Sequence, residues 1–124
     1  MNIFYTNEHE WLKIDGDQAV IGITEYAAKQ LGDITYIELP QIGTSIKVTE
    51  VLCDIESVKA ASDIYCPVSG QITEVNSKLQ DSPEIINASP QEDGWIAKIH
   101  IQELPDKSLL MDHQQYTQYI DSLG

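Results

Sequence analysis

Short runs in which apolar and polar residues alternate recur along almost the whole chain, each closed off by Gly, Pro, Asn or Asp, and this pattern commits it to β-structure. Trp11–Ile14 and Gln18–Ile23 read as strands joined by Asp15-Gly16-Asp17, whose Asp-Gly pair is a hairpin signal. Asp33–Leu39 alternates and is stopped by Pro40. Ser45–Val48 leads into Val51–Ile55, and Ile64–Val68 follows. Ser69-Gly70 reads as a turn into Gln71–Val75. Trp95–Ile101 is the last strand, with Trp95, Ala97, Ile99 and Ile101 on one face and Lys98 and His100 on the other. Helix signals are few. Thr24 is a good N-cap for a short helix through Ala27–Leu31 that Gly32 ends. The stretch from Asn76 to Asn87 reads as loop with one helical turn. Beyond Pro105, the residues Leu109, Leu110, Tyr116, Tyr119, Ile120 and Leu123 recur at helical spacing. The expectation is an all-β sandwich or barrel of small antiparallel sheets, with one short helix in its N-terminal half and a helical segment over about 105–124. Residues 1–124 then form one domain, a length at which a core needs no disulfide or metal.

Charge narrows the partners. Seven lysines, no arginine and 20 acidic residues give a formal charge of −13, which repels phosphate backbones and anionic lipid. Such a surface suits solubility, and it also suits steered encounters with basic patches on other proteins. Neither a basic-then-apolar leader nor a bilayer-length apolar run is present. Together with only two cysteines, this points to a cytoplasmic protein with free thiols.

One lysine stands between two strand-forming runs. With Val58-Lys59-Ala60-Ala61 as the turn, Glu56 falls opposite Asp63 and Cys53 opposite Cys66, and Lys59 points into water at the tip. Taken alone, that is an ordinary solvated lysine. The wording from Glu56 to Gly70, Glu-Ser-Val-Lys-Ala-x-Ser-Asp-x-Tyr-x-Pro-Val-Ser-Gly, resembles the lipoyl-attachment segment of the H proteins of the glycine cleavage system. Further segments match in order: Tyr5-Thr-x-Glu-His-Glu-Trp11, Gly22-Ile-Thr-x-Tyr-Ala27, Gln30-Leu-Gly-Asp-Ile34, Glu38-Leu-Pro-x-x-Gly43, Glu74-Val-Asn76, Asp81-Ser-Pro-Glu84 and Gly94-Trp95. The family fold, a sandwich of two small sheets with a flanking C-terminal helix, agrees with the strand pattern.

The resemblance implies lipoate in amide linkage to Lys59, with Glu56 marking the site for a lipoate ligase or lipoyltransferase. It implies a non-catalytic carrier that takes an aminomethyl group from a PLP-dependent glycine decarboxylase to a tetrahydrofolate-dependent aminomethyltransferase, with dihydrolipoamide dehydrogenase reoxidising the arm. A carrier visiting several enzymes works best as a monomer. In such proteins the loaded arm folds into a cleft, and the matching positions are Glu10, Ile23 and Asp63. Tyr26 and Gln30 stand at cleft positions where related proteins carry histidine. The alternative task is a relay that donates lipoyl groups to other enzymes. Biotinylation is disfavoured because Val58 and Ala60, not methionines, flank the lysine. His9, His100 and His113 lack metal-ligand spacing, and nothing in the sequence brings a histidine to Cys53 or Cys66 to make a nucleophile.

Overall fold

The computed structural model describes residues 2–103 and 107–123. Strands β1 (Asn2–Tyr5), β2 (Glu10–Asp15) and β3 (Gln18–Ile23) form a meander. Helix α1 (Glu25–Leu31) leads to β4 (Ile34–Glu38), the two-residue β5 (Ser45–Ile46) and the β6–β7 hairpin (Val51–Ser57 and Ala61–Tyr65). Then come β8 (Ser69–Val75), the short helices α2 (Lys78–Asp81) and α3 (Ile85–Ala88), β9 (Ala97–Glu103), a 3₁₀ turn at Lys107–Leu109 and α4 (His113–Ser122). The strands make two antiparallel sheets, a six-stranded one in the order β1-β2-β3-β9-β8-β5 and a three-stranded one in the order β4-β6-β7. This is an all-β sandwich, as expected from the strand pattern, and it is the lipoyl-domain-like form that the resemblance implies.

Alternation explains the packing. Leu12, Ile21, Ile72 and Ile99 belong to one fully buried cluster with Ile37 and Ile55 of the three-stranded sheet. Each such side chain contributes about 1.5–3 kcal/mol by leaving water. The six-stranded sheet has a second buried face, where Tyr5, Trp11 and Tyr116 pack with Val20, Trp95, Tyr119 and Ile120, so α4 covers its outer side. Trp11 lies across its cross-strand partner Gly22, where an added Cβ would sit 2.7 Å from the indole, and its Nε1 donates to the Pro90 carbonyl at 3.0 Å. Asp112 starts α4 with a reciprocal cap. Its carboxylate accepts from the Gln115 N–H at 2.8 Å, while the Gln115 side chain accepts from the Asp112 N–H at 2.9 Å.

Several local expectations are corrected. The β6–β7 loop is tighter than the sequence reading had it: Glu56 pairs with Ala61, Asp54 with Asp63 and Cys53 with Ile64. The loop is Val58-Lys59, because Ser57 closes the turn on Ala60 with a backbone bond of 2.8 Å and a side-chain oxygen that accepts from the Ala60 N–H at 3.1 Å. The slip is by two residues, so each side chain keeps its face although its partner changes. Ser69-Gly70 is not a turn but the start of β8. Gly70 is required there by the close approach of the His100 backbone carbonyl, which a Cβ would strike. The stretch read as loop with one helical turn holds both α2 and α3. Strand β4 also departs from simple alternation, since an irregularity between Ile34 and Tyr36 turns Ile34 and Ile37 inward and leaves Tyr36 48% exposed. Pro105 lies outside the described residues.

Candidate functional site

The apex of the β6–β7 hairpin is built from small parts. Ser57 ties the turn with its hydroxyl, which also accepts from the Lys59 N–H at 3.4 Å, and Val58 N–H donates to the Asp33 carbonyl at 3.0 Å. The backbone of the tip is thereby pinned to the corner between α1 and β4. The Lys59 side chain is exposed, and among the described residues its ammonium makes no ion pair. Its stem passes over Gly32, the cap of α1. A Cβ built on Gly32 would stand 3.2 Å from Cε of Lys59, and the residue has φ +77°, a conformation L side chains rarely adopt. Ala60 and Ala61 are exposed and short, so nothing bulky follows the lysine along β7.

Carboxylates flank this apex. Glu38, Asp54 and Asp63 stand directly opposite one another across the exposed face of the three-stranded sheet, and Glu56 pairs with Tyr36 and Ala61 one step nearer the tip. A hydrogen bond to Asp63 pushes the Asp54 carboxyl upward from the usual carboxylate range, helped by the charges of Asp63, Glu38 and Glu56. Like charges in direct register cost stability, and this face keeps them.

At the other end of the hairpin is a cavity of about 530 Å³, whose walls include Tyr65, Cys66, Val68 and Leu110. Strand β7 runs roughly 13 Å from Ala61 to Tyr65, so tip and cavity are joined by one rigid strand. Glu10 lines this cavity and is only 3% exposed. The Thr6 hydroxyl accepts from the N–H groups of Glu8 and Glu10, and its own hydrogen goes to Glu10 Oε1 at 2.8 Å. Burial raises the Glu10 carboxyl from the ordinary 4.5 to about 7, against the opposing pull of Thr6 and the Tyr65 backbone.

Of the other positions singled out from sequence, Ile23 is core, 1% exposed and paired with Glu10. Asp63 is exposed on the acidic sheet face and is not among the cavity's lining residues. Tyr26 is half-buried with its ring 4.6 Å from that of His9, and Gln30 is exposed. Cys53 and Cys66 are free and buried. Burial pushes the Cys66 thiol up to about 12 and raises Cys53 as well, so neither is a poised nucleophile. Sequence reasoning missed Tyr65 and Val68 as cavity walls. The clue available was that both fall within the segment that carries the lysine.

The chain matches the family model described as glycine cleavage H-protein over residues 3–123. The chain belongs to that family. It is 50% identical to a protein of Pyrococcus abyssi described as a probable glycine cleavage system H protein, over 123 residues, covering 98% of this chain and 91% of that relative. It is 48% identical to the glycine cleavage system H protein of Herpetosiphon aurantiacus, covering 96% and 91%. A solved glycine cleavage system H protein from Mycobacterium marinum superposes with a TM-score of 0.88 at 32% identity, over 97% of both chains. Like its family, this H protein is a lipoyl carrier of the glycine cleavage system, and lipoate on a lysine is its cofactor. Among the described residues no helix is long and apolar enough to cross a membrane.

Proposed function

We propose that residues 1–124 act as one non-catalytic carrier domain with lipoate in amide linkage to Lys59. The observation that carries this reading is the apex itself: an exposed ammonium, without an ion pair among the described residues, on a firmly tied turn followed by two alanines. When bound, lipoate supplies the dithiolane that is reduced and carries the transferred group. The chain's own residues do the rest. Ser57 and the Val58–Asp33 bond hold the root of the arm still while its stem is free to swing, which raises its local concentration at a docked partner's active site.

Acylation removes the positive charge of Lys59 and leaves the protein one unit more negative than its −13. The acidic face carrying Glu56 and Asp63 then meets basic surfaces on the partners, with Glu56 marking the site for the ligase. Those partners are glycine decarboxylase, aminomethyltransferase and dihydrolipoamide dehydrogenase, visited by a monomer in the cytoplasm, where Cys53 and Cys66 stay reduced. The cavity is where the end of the arm rests, with Glu10 inside and with Ile23, the cross-strand partner of Glu10, in the core rather than in the cavity wall. A cationic amine entering it would draw the Glu10 proton off and pair with the carboxylate.

The test is glycine–bicarbonate exchange with purified decarboxylase and ligase-treated protein. Wild type supports exchange and Lys59→Arg does not. Exchange by Lys59→Arg would refute the assignment of the lysine, and a fully lipoylated chain that supports none would favour the lipoyl relay over the carrier.

A further inference from the structure

The loop Thr6–Glu10 that presents the cavity carboxylate is bent through an unusual residue. His9 has φ +67°, the left-handed region that is costly for a side chain of its size. Three bonds hold it there. Its N–H donates to the Thr6 carbonyl at 3.1 Å, its carbonyl accepts from the Thr24 N–H at 2.9 Å, and its Nδ1 shares a 2.8 Å bond with the hydroxyl of Tyr116. That hydroxyl is also 2.7 Å from Thr24 Oγ1, whose oxygen caps α1. Tyr116 therefore joins α4, the N-terminus of α1 and the Thr6–Glu10 loop at one atom. Its ring stacks on Tyr5 at 4.8 Å, and Tyr5 exchanges backbone bonds of 2.8 and 2.7 Å with Met111, so the hydroxyl has little freedom to move. His9 itself is packed by Tyr26 and Tyr119.

We propose that Tyr116 is a positioning residue for the cavity: by gripping His9 through Nδ1 it holds the left-handed turn from which the next residue, Glu10, enters the buried site. The C-terminal helix is then part of the machinery of the cavity although it contributes no wall. The proposal rests on the reading of that cavity as the resting place of the arm, but its physical content concerns the unmodified chain. Nothing along the sequence announces it, since His9 and Tyr116 are 107 positions apart.

The groups facing Glu10 are the Thr6 hydroxyl, the Tyr65 N–H, Glu8 and the thiols of Cys53 and Cys66. Tyr116→Phe removes none of these groups. The experiment is a carbon-detected NMR titration of Glu10 in the full, unmodified chain. In Tyr116→Phe the loop loosens, water reaches the carboxyl, and its midpoint falls by about one pH unit or more. Ile120→Ala weakens the packing of α4 without touching the hydroxyl and leaves the midpoint where it is. An unmoved midpoint in Tyr116→Phe, or an equal fall in both variants, would overturn the proposal. Should Tyr116→Phe not fold, His9→Asn serves in its place: asparagine tolerates the left-handed backbone but lacks the imidazole. The same fall is expected there, and no fall would contradict the mechanism. Because no lipoate is involved, failure here would leave the carrier reading standing.

Discussion

The two ends of the β6–β7 hairpin are built on opposite plans. At the tip, Lys59 is surrounded by almost nothing: a pinned backbone, short side chains and open solvent. At the base, Glu10 is enclosed by the Thr6 hydroxyl, the Tyr65 backbone and apolar walls, and its carboxyl is pushed to about 7. A residue that another enzyme must modify needs access, so the fold contributes rigidity beneath it and clearance around it. A residue that must meet a visiting group inside the protein needs an environment, and the fold spends buried hydrogen bonds to make one. The contrast also explains why the tip is readable as a motif while the base is readable only in three dimensions.

The strongest challenge to this comparison is Glu10→Gln. A carboxyl whose folded value lies above its ordinary 4.5 contributes stability that is fully present below pH 4.5 and lost as pH rises through about 7. Wild type should therefore lose about 3 kcal/mol of stability relative to Glu10→Gln between pH 4.5 and pH 8. Denaturant unfolding at several pH values reads this directly. Parallel curves for the two proteins would mean that the base is no more special than the tip.

Clearance at the tip is tested by a pair of glycines. Gly32→Ala and Gly43→Ala both force alanine into a positive φ, and each should cost about 1–3 kcal/mol. Only at Gly32 would the new methyl press on the stem of Lys59, since a Cβ at Gly43 meets nothing within 4 Å. Ligase kcat/KM should fall for the first variant alone. Equal kinetics would show that the lysine does not use the space Gly32 leaves.

Glu56→Ala carries the smallest expected effect. Ligase kcat/KM falls by roughly threefold to tenfold, with the loss shrinking at high salt as for a steering charge. Thermal stability holds, because the side chain is exposed. A salt-independent loss would point instead to a direct contact with the ligase.

Much of this architecture was legible in the residues. Alternation gave most of the β strands but not β1, Asp15-Gly16 the β2–β3 hairpin, Thr24 and Gly32 the bounds of α1, and the spacing of Tyr116, Tyr119 and Ile120 the C-terminal helix. The hairpin register was missed because no pattern distinguishes pairings two residues apart when both keep the faces. The choice fell to the hydroxyl of Ser57, a single side chain. Gly70 looked like a turn because a glycine demanded by a passing carbonyl reads the same as one demanded by a bend. At the site, Lys59 and Glu56 stood out through the wording of their segment. The environment of Glu10 did not, because Thr6, Tyr65 and Tyr116 converge on its surroundings only after folding.

The most direct measurement is intact mass followed by peptide mapping of the protein isolated from its own cells. One lipoyl increment should be present, confined to the peptide containing Lys59. An unmodified native chain, or the increment on any other lysine, would contradict the assignment of the hairpin apex as the point of attachment.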